Sequence, residues 1–306
     1  MKKAFEMMTY AGRMVFPAIK SAMGTTPVPV WIRKAAFPKT VGILFYHKPD
    51  PELFGKHLAF IRKYYNPVSM DELALALDAG SPDMLPKYPV VIQIDDGYRE
   101  NIDLLPHVIR HQVPVSIFLV TSVIGTRRKF WYEAVLEQGG DPDRYKRLQH
   151  ADFLQTLESE FDYTPEREYP AATALDWDQV RHMHNSGLVT FGAHTHTHPI
   201  LPMCSDETAR REIIESKTII EQQLDSPCHH FSYPNGDGSE REQVLLKEAG
   251  FKTARGFRWG FISVDAGCNP LDLATLRSPE TASVPHVSLI LAGWVGLMER
   301  VKGIVS

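Results

Sequence analysis

Two periodicities alternate along the chain. Short runs of consecutive apolar, largely β-branched residues occur at Val41–Tyr46, Val90–Asp95, Val115–Val120, Leu188–Ala193, His229–Tyr233, Phe251–Arg255 and Leu273–Arg277. Several are apolar at successive positions, the pattern of parallel strands covered on both faces. Between them, apolar residues recur at helical spacing over Leu53–Tyr65, Asp71–Ala79, Tyr98–His111, Asp176–Asn185, Asp206–Leu224 and Glu240–Ala249. Ser205 stands where an N-cap is needed, with Asp206 and Glu207 in the first turn to suit the helix dipole. Gly187 and Gly250 end two helices just before a strand. This alternation predicts an α/β fold with a parallel sheet, and seven strands suit an incomplete or distorted barrel.

Residues 125–175 break the rhythm. They are charged and poor in strand patterns, with helical pieces around Trp131–Leu136 and Phe153–Phe161, and read as a helical insertion after the third strand. The barrel is expected over residues 40–280, followed by a terminal helix over 281–306. Residues 1–40 carry seven Lys/Arg against Glu6 alone, a net +6 that leaves −10 for the other 266 residues. Glu6, Arg13 and Lys20 recur every seven residues, and Phe5, Met8, Val15, Ile19 and Met23 lie opposite them on a helical wheel. Residues 1–39 therefore read as a basic amphipathic extension, kinked at Pro17. Its apolar side either docks on the barrel or meets an anionic membrane peripherally. No secretory pattern and no run of 18 uncharged apolar residues is visible, so the expected location is the cytoplasm, with the inner membrane face as the surface.

Composition narrows the function classes. A net charge of −4 excludes a nucleic-acid binder that relies on a global positive field. Cys204, Cys228 and Cys268 have no CxxC spacing, which excludes a disulfide framework and a thiolate zinc site and fits a reducing compartment. Histidine is the outlier, with 13 residues of which seven lie between His182 and His230. Three of them alternate in Phe191-Gly-Ala-His194-Thr-His196-Thr-His198-Pro199, directly after an apolar strand. On a continuing strand all three share a face. On a chain that turns helically, His194 and His198 meet at i and i+4 while His196 points away. Imidazoles so grouped suit a divalent metal, completed by a carboxylate from elsewhere. That carboxylate has a candidate source in Val91-Ile-Gln-Ile-Asp95-Asp96-Gly97-Tyr98, where a strand ends in two acids and a glycine. Ligands of parallel α/β folds sit at such strand ends, although an Asp-Asp-Gly turn also has a purely structural use.

These two segments together resemble the polysaccharide deacetylases of the NodB-homology type, the fourth carbohydrate esterase family. Ile94-Asp95-Asp96-Gly97 is similar to the family's first motif, and His194-Thr195-His196-Thr197-His198-Pro199 matches its H-[ST]-x-x-H-P motif at every fixed position. The likeness runs from about Val41 to Arg277 and takes in Leu44-Phe-Tyr-His47, Trp177-Asp-Gln and Phe231-Ser-Tyr-Pro-Asn-Gly236, the last as in an exopolysaccharide-pathway subgroup. The resemblance implies a distorted (β/α) barrel and hydrolysis of the acetamide of an N-acetylated sugar, in a poly- or oligosaccharide or on a lipid-linked glycan. It implies Asp95 as general base and Asp96, His194 and His198 as ligands of one divalent ion. Zinc is the first expectation for that ion, with cobalt, nickel or manganese as alternatives. A backbone N–H near Asn235 would hold the oxyanion, and Tyr233 and Trp131 would line the sugar site. Three departures stand out. Gln93-Ile94 replace the usual Thr-Phe, Ser232 stands where many members carry arginine, and no Leu-x-His supplies the usual acid. Arg277, at the end of the last strand, is the expected replacement for the missing charge, and His47 a possible orienter of a catalytic carboxylate. Two other readings stay open: an amidohydrolase that uses all three histidines on a strand, and an inactive carbohydrate-binding relative.

Overall fold

The computed structural model describes residues 26–294. All seven expected strands form: β1 (Thr40–Tyr46), β3 (Pro89–Ile94), β4 (Val115–Leu119), β5 (Val189–Ala193), β6 (His230–Ser232), β7 (Thr253–Trp259) and β9 (Leu273–Arg277). Each is hydrogen-bonded in parallel to its neighbour in the order β3-β4-β5-β6-β7-β9-β1, and β1 pairs back to β3, which closes the barrel. A register shift between Arg255 and Trp259 distorts the β7–β9 seam. Two short strands, β2 (Asn66–Pro67) and β8 (Ile262–Ser263), attach outside the ring.

Helices surround it: α1 (Val28–Ala36), α2 (Pro51–Tyr64), α3 (Met70–Asp78), α4 (Leu105–His111), α5 (Trp131–Glu137), α6 (His150–Phe161), α7 (Trp177–His184), α8 (Asp206–Leu224), α9 (Glu240–Glu248) and α10 (Val284–Leu291). Local chemistry sets their starts. Ser205 caps α8 through the Thr208 N–H at 3.2 Å, and Ser69/Glu72 and Asp176/Gln179 form reciprocal capping boxes on α3 and α7. The helix expected over Tyr98–His111 divides into a 3-10 segment, Arg99–Leu104, and α4. Pro106 is the reason: it has no N–H for the preceding turn.

α3 reaches across the N-terminal end of the barrel. Met70 Sδ accepts from Gln93 on β3, while Asp71 bonds the buried His230 on β6 at 3.0 Å. The opposite ends of β1, β3, β5 and β6 carry His47, Asp95, His194 and Tyr233, so the chemistry collects at the carboxyl ends of the strands. Between β4 and α7, the segment expected as an insertion holds α5 and α6. These bury a satellite core of their own around Trp131, Val135, Phe153, Leu157 and Phe161.

α1 packs against α10, and Arg33 lies buried with its guanidinium on the carbonyls of Phe37 and Thr40. The amphipathic pattern from Phe5 to Met23 lies outside the described residues, as does the end of the expected C-terminal helix. No helix among the described residues is long and apolar enough to cross a membrane.

Candidate active site and metal centre

Asp95 and Asp96 follow β3 in different backbone conformations. Asp95 continues the strand, its N–H bonded to the Tyr46 carbonyl at 2.8 Å, whereas Asp96 is left-handed at φ 73°. Gly97 (φ 77°) completes the turn, and a Cβ there would stand 2.6 Å from the Leu119 side chain. The two carboxylates thereby face different partners.

The histidine segment leaves β5 at Ala193, so the continuous-strand arrangement is absent. The helical turn is absent too: Thr195 (φ 67°) and His198 (φ 62°) are left-handed. Such conformations cost of order 1 kcal/mol or more in a non-glycine residue and need outside support. Glu212 on α8 supplies it, accepting the N–H groups of His196 and Thr197 and the Thr197 hydroxyl at 2.7–2.8 Å. Thr195 Oγ1 accepts the His198 N–H at 3.0 Å.

This loop brings the His194 and His198 rings to 4.8 Å between centroids. His194 Nδ1 lies 2.7 Å from the Ser232 carbonyl, which can only accept, so the proton sits on Nδ1 and the Nε2 lone pair faces Asp96 at 3.5 Å. His198 Nε2 lies 3.7 Å from the same Asp96 Oδ1. Donor atoms of the three side chains all fall within 4.8 Å of one another, and Asp96 Oδ1 is buried with no hydrogen-bond partner. An orphaned carboxylate oxygen between two imidazole nitrogens fits a divalent cation. His196 turns away, to Thr121 Oγ1 at 2.9 Å and Glu215 at 3.5 Å.

Electrostatics separate the two acids. Burial alone would raise Asp95, but the Arg255 guanidinium beside it, with His194 and His47, holds it below the usual carboxylate range. Asp96 is raised, chiefly by burial, with His47 and His194 opposing and Asp95 adding to the rise; a bound cation would offset that cost. Burial and neighbouring His194 push His198 well below its ordinary value, which keeps it neutral as a ligand must be.

Arg255 is the residue that the sequence reading missed. It comes from β7 and bonds both Asp95 Oδ2 and the Ser232 hydroxyl. The charge absent at position 232 thus arrives from the neighbouring strand, and the expectation that Arg277 replaces it is corrected. A charge inside a strand buried on both faces needs a partner, which was the available signal. Arg277 instead lies at the cavity wall with its guanidinium 5.3 Å from the Phe257 ring centroid.

The cavity over the site measures about 600 Å³, and its lining includes Asp95, Asp96, His47, Trp131, Tyr132, Tyr233, Asn235 and Arg277. The other expected binding residues have structural partners. Trp131 is 1% exposed and its indole N–H donates to the His198 carbonyl at 3.0 Å. Tyr233 is equally buried and donates to the Leu271 carbonyl at 2.9 Å. Asn235 Oδ1 accepts from Lys146 of the insertion at 2.8 Å. His47 does not orient a catalytic aspartate; it pairs with Glu280 at 3.1 Å. Burial opposes its charge, but Glu280 and the nearby Asp96 and Asp95 outweigh this and raise it to about 9.

The sequence model described as polysaccharide deacetylase matches residues 83–254. The chain belongs to the polysaccharide deacetylase family. The deacetylase is thus a hydrolase that removes N-acetyl groups from carbohydrate. Its barrel is similar to that of the Streptococcus pyogenes deacetylase PplD, solved in complex with acetate, at 18% identity and a TM-score of 0.62, covering 83% of this chain and 99% of that one. Similar in fold are the polysaccharide deacetylase BC0361 of Bacillus cereus (14%, TM-score 0.61, 83% and 70% covered) and IcaB of Ammonifex degensii (17%, TM-score 0.60, 83% and 97% covered). No curated protein sequence matches the chain.

Proposed function

We propose that the deacetylase is metal-dependent, with Asp96, His194 and His198 as ligands, zinc as the ion and Asp95 as the general base. The observation that carries this reading is the buried Asp96–His194–His198 cluster with a second, differently held carboxylate beside it in one cavity. When bound, the ion supplies a Lewis acid that makes water a nucleophile near neutral pH. Asp95 Oδ2 is fixed by Arg255 while Oδ1 is buried without a partner, so Oδ1 is the atom that takes the proton of the attacking water. The amide carbon then becomes tetrahedral, and its oxyanion lies towards the Asn235 backbone. Acetate, the ligand named with the S. pyogenes deacetylase, is the product such a reaction releases. The convergence of two histidines with Asp96, and not of three along a strand, favours this over an amidohydrolase of the HxH type.

The substrate we infer is an N-acetylated sugar within a glycan of the exopolysaccharide or lipid-linked kind. Acetate release measured over a panel of N-acetylated saccharides, with bound metal determined on the same preparation, tests the reading. Turnover that tracks zinc content is expected. Turnover unaffected by complete metal removal sinks the metal assignment, and a zinc-loaded protein that releases no acetate from any saccharide sinks the function. We infer in addition a peripheral contact with anionic membrane through residues 1–39, on the strength of Trp31, 64% exposed at the end of the basic segment.

A further inference from the structure

The cavity of about 600 Å³ has room for more of a glycan than the acetamide that reacts. A row of alternating cations and rings crosses one wall of it. Arg255, bonded to Asp95, lies over the Phe45 ring at 4.4 Å from its centroid. The Phe45 and Phe257 rings meet edge to face at 6.5 Å, and Arg277 lies over Phe257 at 5.3 Å. Barrel closure builds this row, because Arg255 and Phe257 occupy alternate positions of β7 while Phe45 on β1 stands opposite Arg277 on β9. Phe257 is half-exposed, and Gly236 packs directly against it: a Cβ at Gly236 would stand 2.4 Å from the Phe257 Cβ.

The two ends of the row differ. Arg255 is buried and committed to Asp95 and Ser232. Arg277 is exposed, and its contact with a ring face occupies none of its N–H donors. The charges that the insertion brings to the same cavity already have partners. Lys146 binds Asp143 at 2.7 Å and Asn235 at 2.8 Å, and Asp141 accepts the Asp143 N–H at 3.1 Å. Asp143 feels the Arg277 charge, but its bond goes to Lys146. Among the described residues that line the cavity, Arg277 is thus the cation without a hydrogen-bond or ion-pair partner.

We propose that Arg277 binds an anionic group, a carboxylate or a phosphate, on the unit joined to the sugar that loses its acetyl group, and so selects an acidic glycan. The inference rests on the deacetylation reading above and names its substrate class. A guanidinium meets either group with two parallel N–H···O bonds, and stacking on Phe257 limits the directions in which it can present them. A neighbouring uronic acid would supply the carboxylate. A phosphate link between the sugar and a lipid carrier would supply the other anion. A neighbouring free amine would meet like charge instead.

The test measures acetate release by the full-length, zinc-loaded chain on four matched substrates. Each joins the best N-acetylated sugar of the panel to glucuronate, to glucose, to glucosamine, or through phosphate to a short alkyl chain. The glucuronate or the phosphate substrate should exceed the glucose one in kcat/KM by about 10–100-fold, the range of a hydrogen bond to a charged group. Whichever of the two is larger identifies the anion. Arg277→Gln should remove most of that preference, Arg277→Lys should keep part of it, and Arg277→Glu should move it to the glucosamine substrate. Each reading is a ratio between substrates on one preparation, so it is independent of the folded fraction. An active wild-type chain with both anionic substrates within about threefold of glucose overturns the proposal, and so does a preference that survives in Arg277→Gln. A wild-type chain that releases acetate from no saccharide at all removes the deacetylation reading, and the proposal with it.

Discussion

Asp95 is 2% exposed, and a carboxylate so placed would stay protonated if nothing balanced its charge. Arg255 provides the balance and occupies one oxygen, which leaves the other without a partner for the proposed proton transfer. Asp95→Asn should keep its metal and fold while turnover falls by about 10²–10⁴; near-native acetate release would take Asp95 out of the mechanism. Arg255→Met removes a cation that lowers Asp95, so the Asp95 pKa rises and the acid limb of the kcat/KM profile should move to higher pH. The same substitution strands a buried charge, at a cost of about 3–5 kcal/mol, read as a drop in Tm. An unmoved acid limb would show that Arg255 does not set the base. Among the histidines, His194→Ala and His198→Ala should lose bound metal, and His196→Ala should retain it by elemental analysis. Equal loss in all three would contradict the ligand set.

At the scale of elements, the loop that carries His194 and His198 is held in place by a helix it does not belong to. Two left-handed residues, Thr195 and His198, persist because Glu212 on α8 gathers three donors from the turn. Glu212→Ala removes no ligand, yet metal affinity should weaken about 10–100-fold, as for other supporting contacts. Competition with a chelator measures this, and an unchanged affinity would mean the loop is self-supporting. α5 contributes in the same manner, since Trp131 bonds the His198 carbonyl. Strand positions were readable because continuous apolar runs have few other uses. The break in the helix over Tyr98–His111 was readable only from Pro106, whose missing N–H outweighs the surrounding periodicity.

Across the whole molecule, the catalytic cavity and the N-terminal helix occupy opposite ends of the barrel. α1 leads into Thr40, the first residue of β1, whereas His47 follows the last; seven strand residues separate the two ends by roughly 20 Å. A bilayer met through α1 would therefore face away from the cavity, so membrane binding and access to a lipid-linked glycan are separable properties. Of the seven basic residues in 1–40, Arg33 is buried in the fold, Lys34 lies over the Tyr88 ring and Lys39 pairs with Asp83. The electrostatic attraction then rests on Lys2, Lys3, Arg13 and Lys20, each worth about 1 kcal/mol near an anionic surface. Co-sedimentation of the full-length chain with anionic vesicles is expected at low salt and should be lost at high salt. A chain that stays in the supernatant at low salt has no such contact.

The sequence by itself determined the seven strands and the barrel class, and it singled out Asp95, Asp96, His194 and His198 as candidates, because apolar runs and clustered ligand types are local signals. It did not determine how those residues meet. His194 and His198 approach through left-handed backbone rather than through a helical turn, since a buried glutamate far along the chain stabilises a conformation that local preference disfavours. Arg255 and Glu280 carry no motif; they reach the site because barrel closure sets β7 beside β6 and β9 beside β1. Tyr233 and Trp131 show the same limit from the other side, their aromatic rings equally suited to sugar or core until burial and hydrogen bonds placed them as supports for the site. Pairing between distant strands is a property of the closed sheet, and no stretch of sequence contains it.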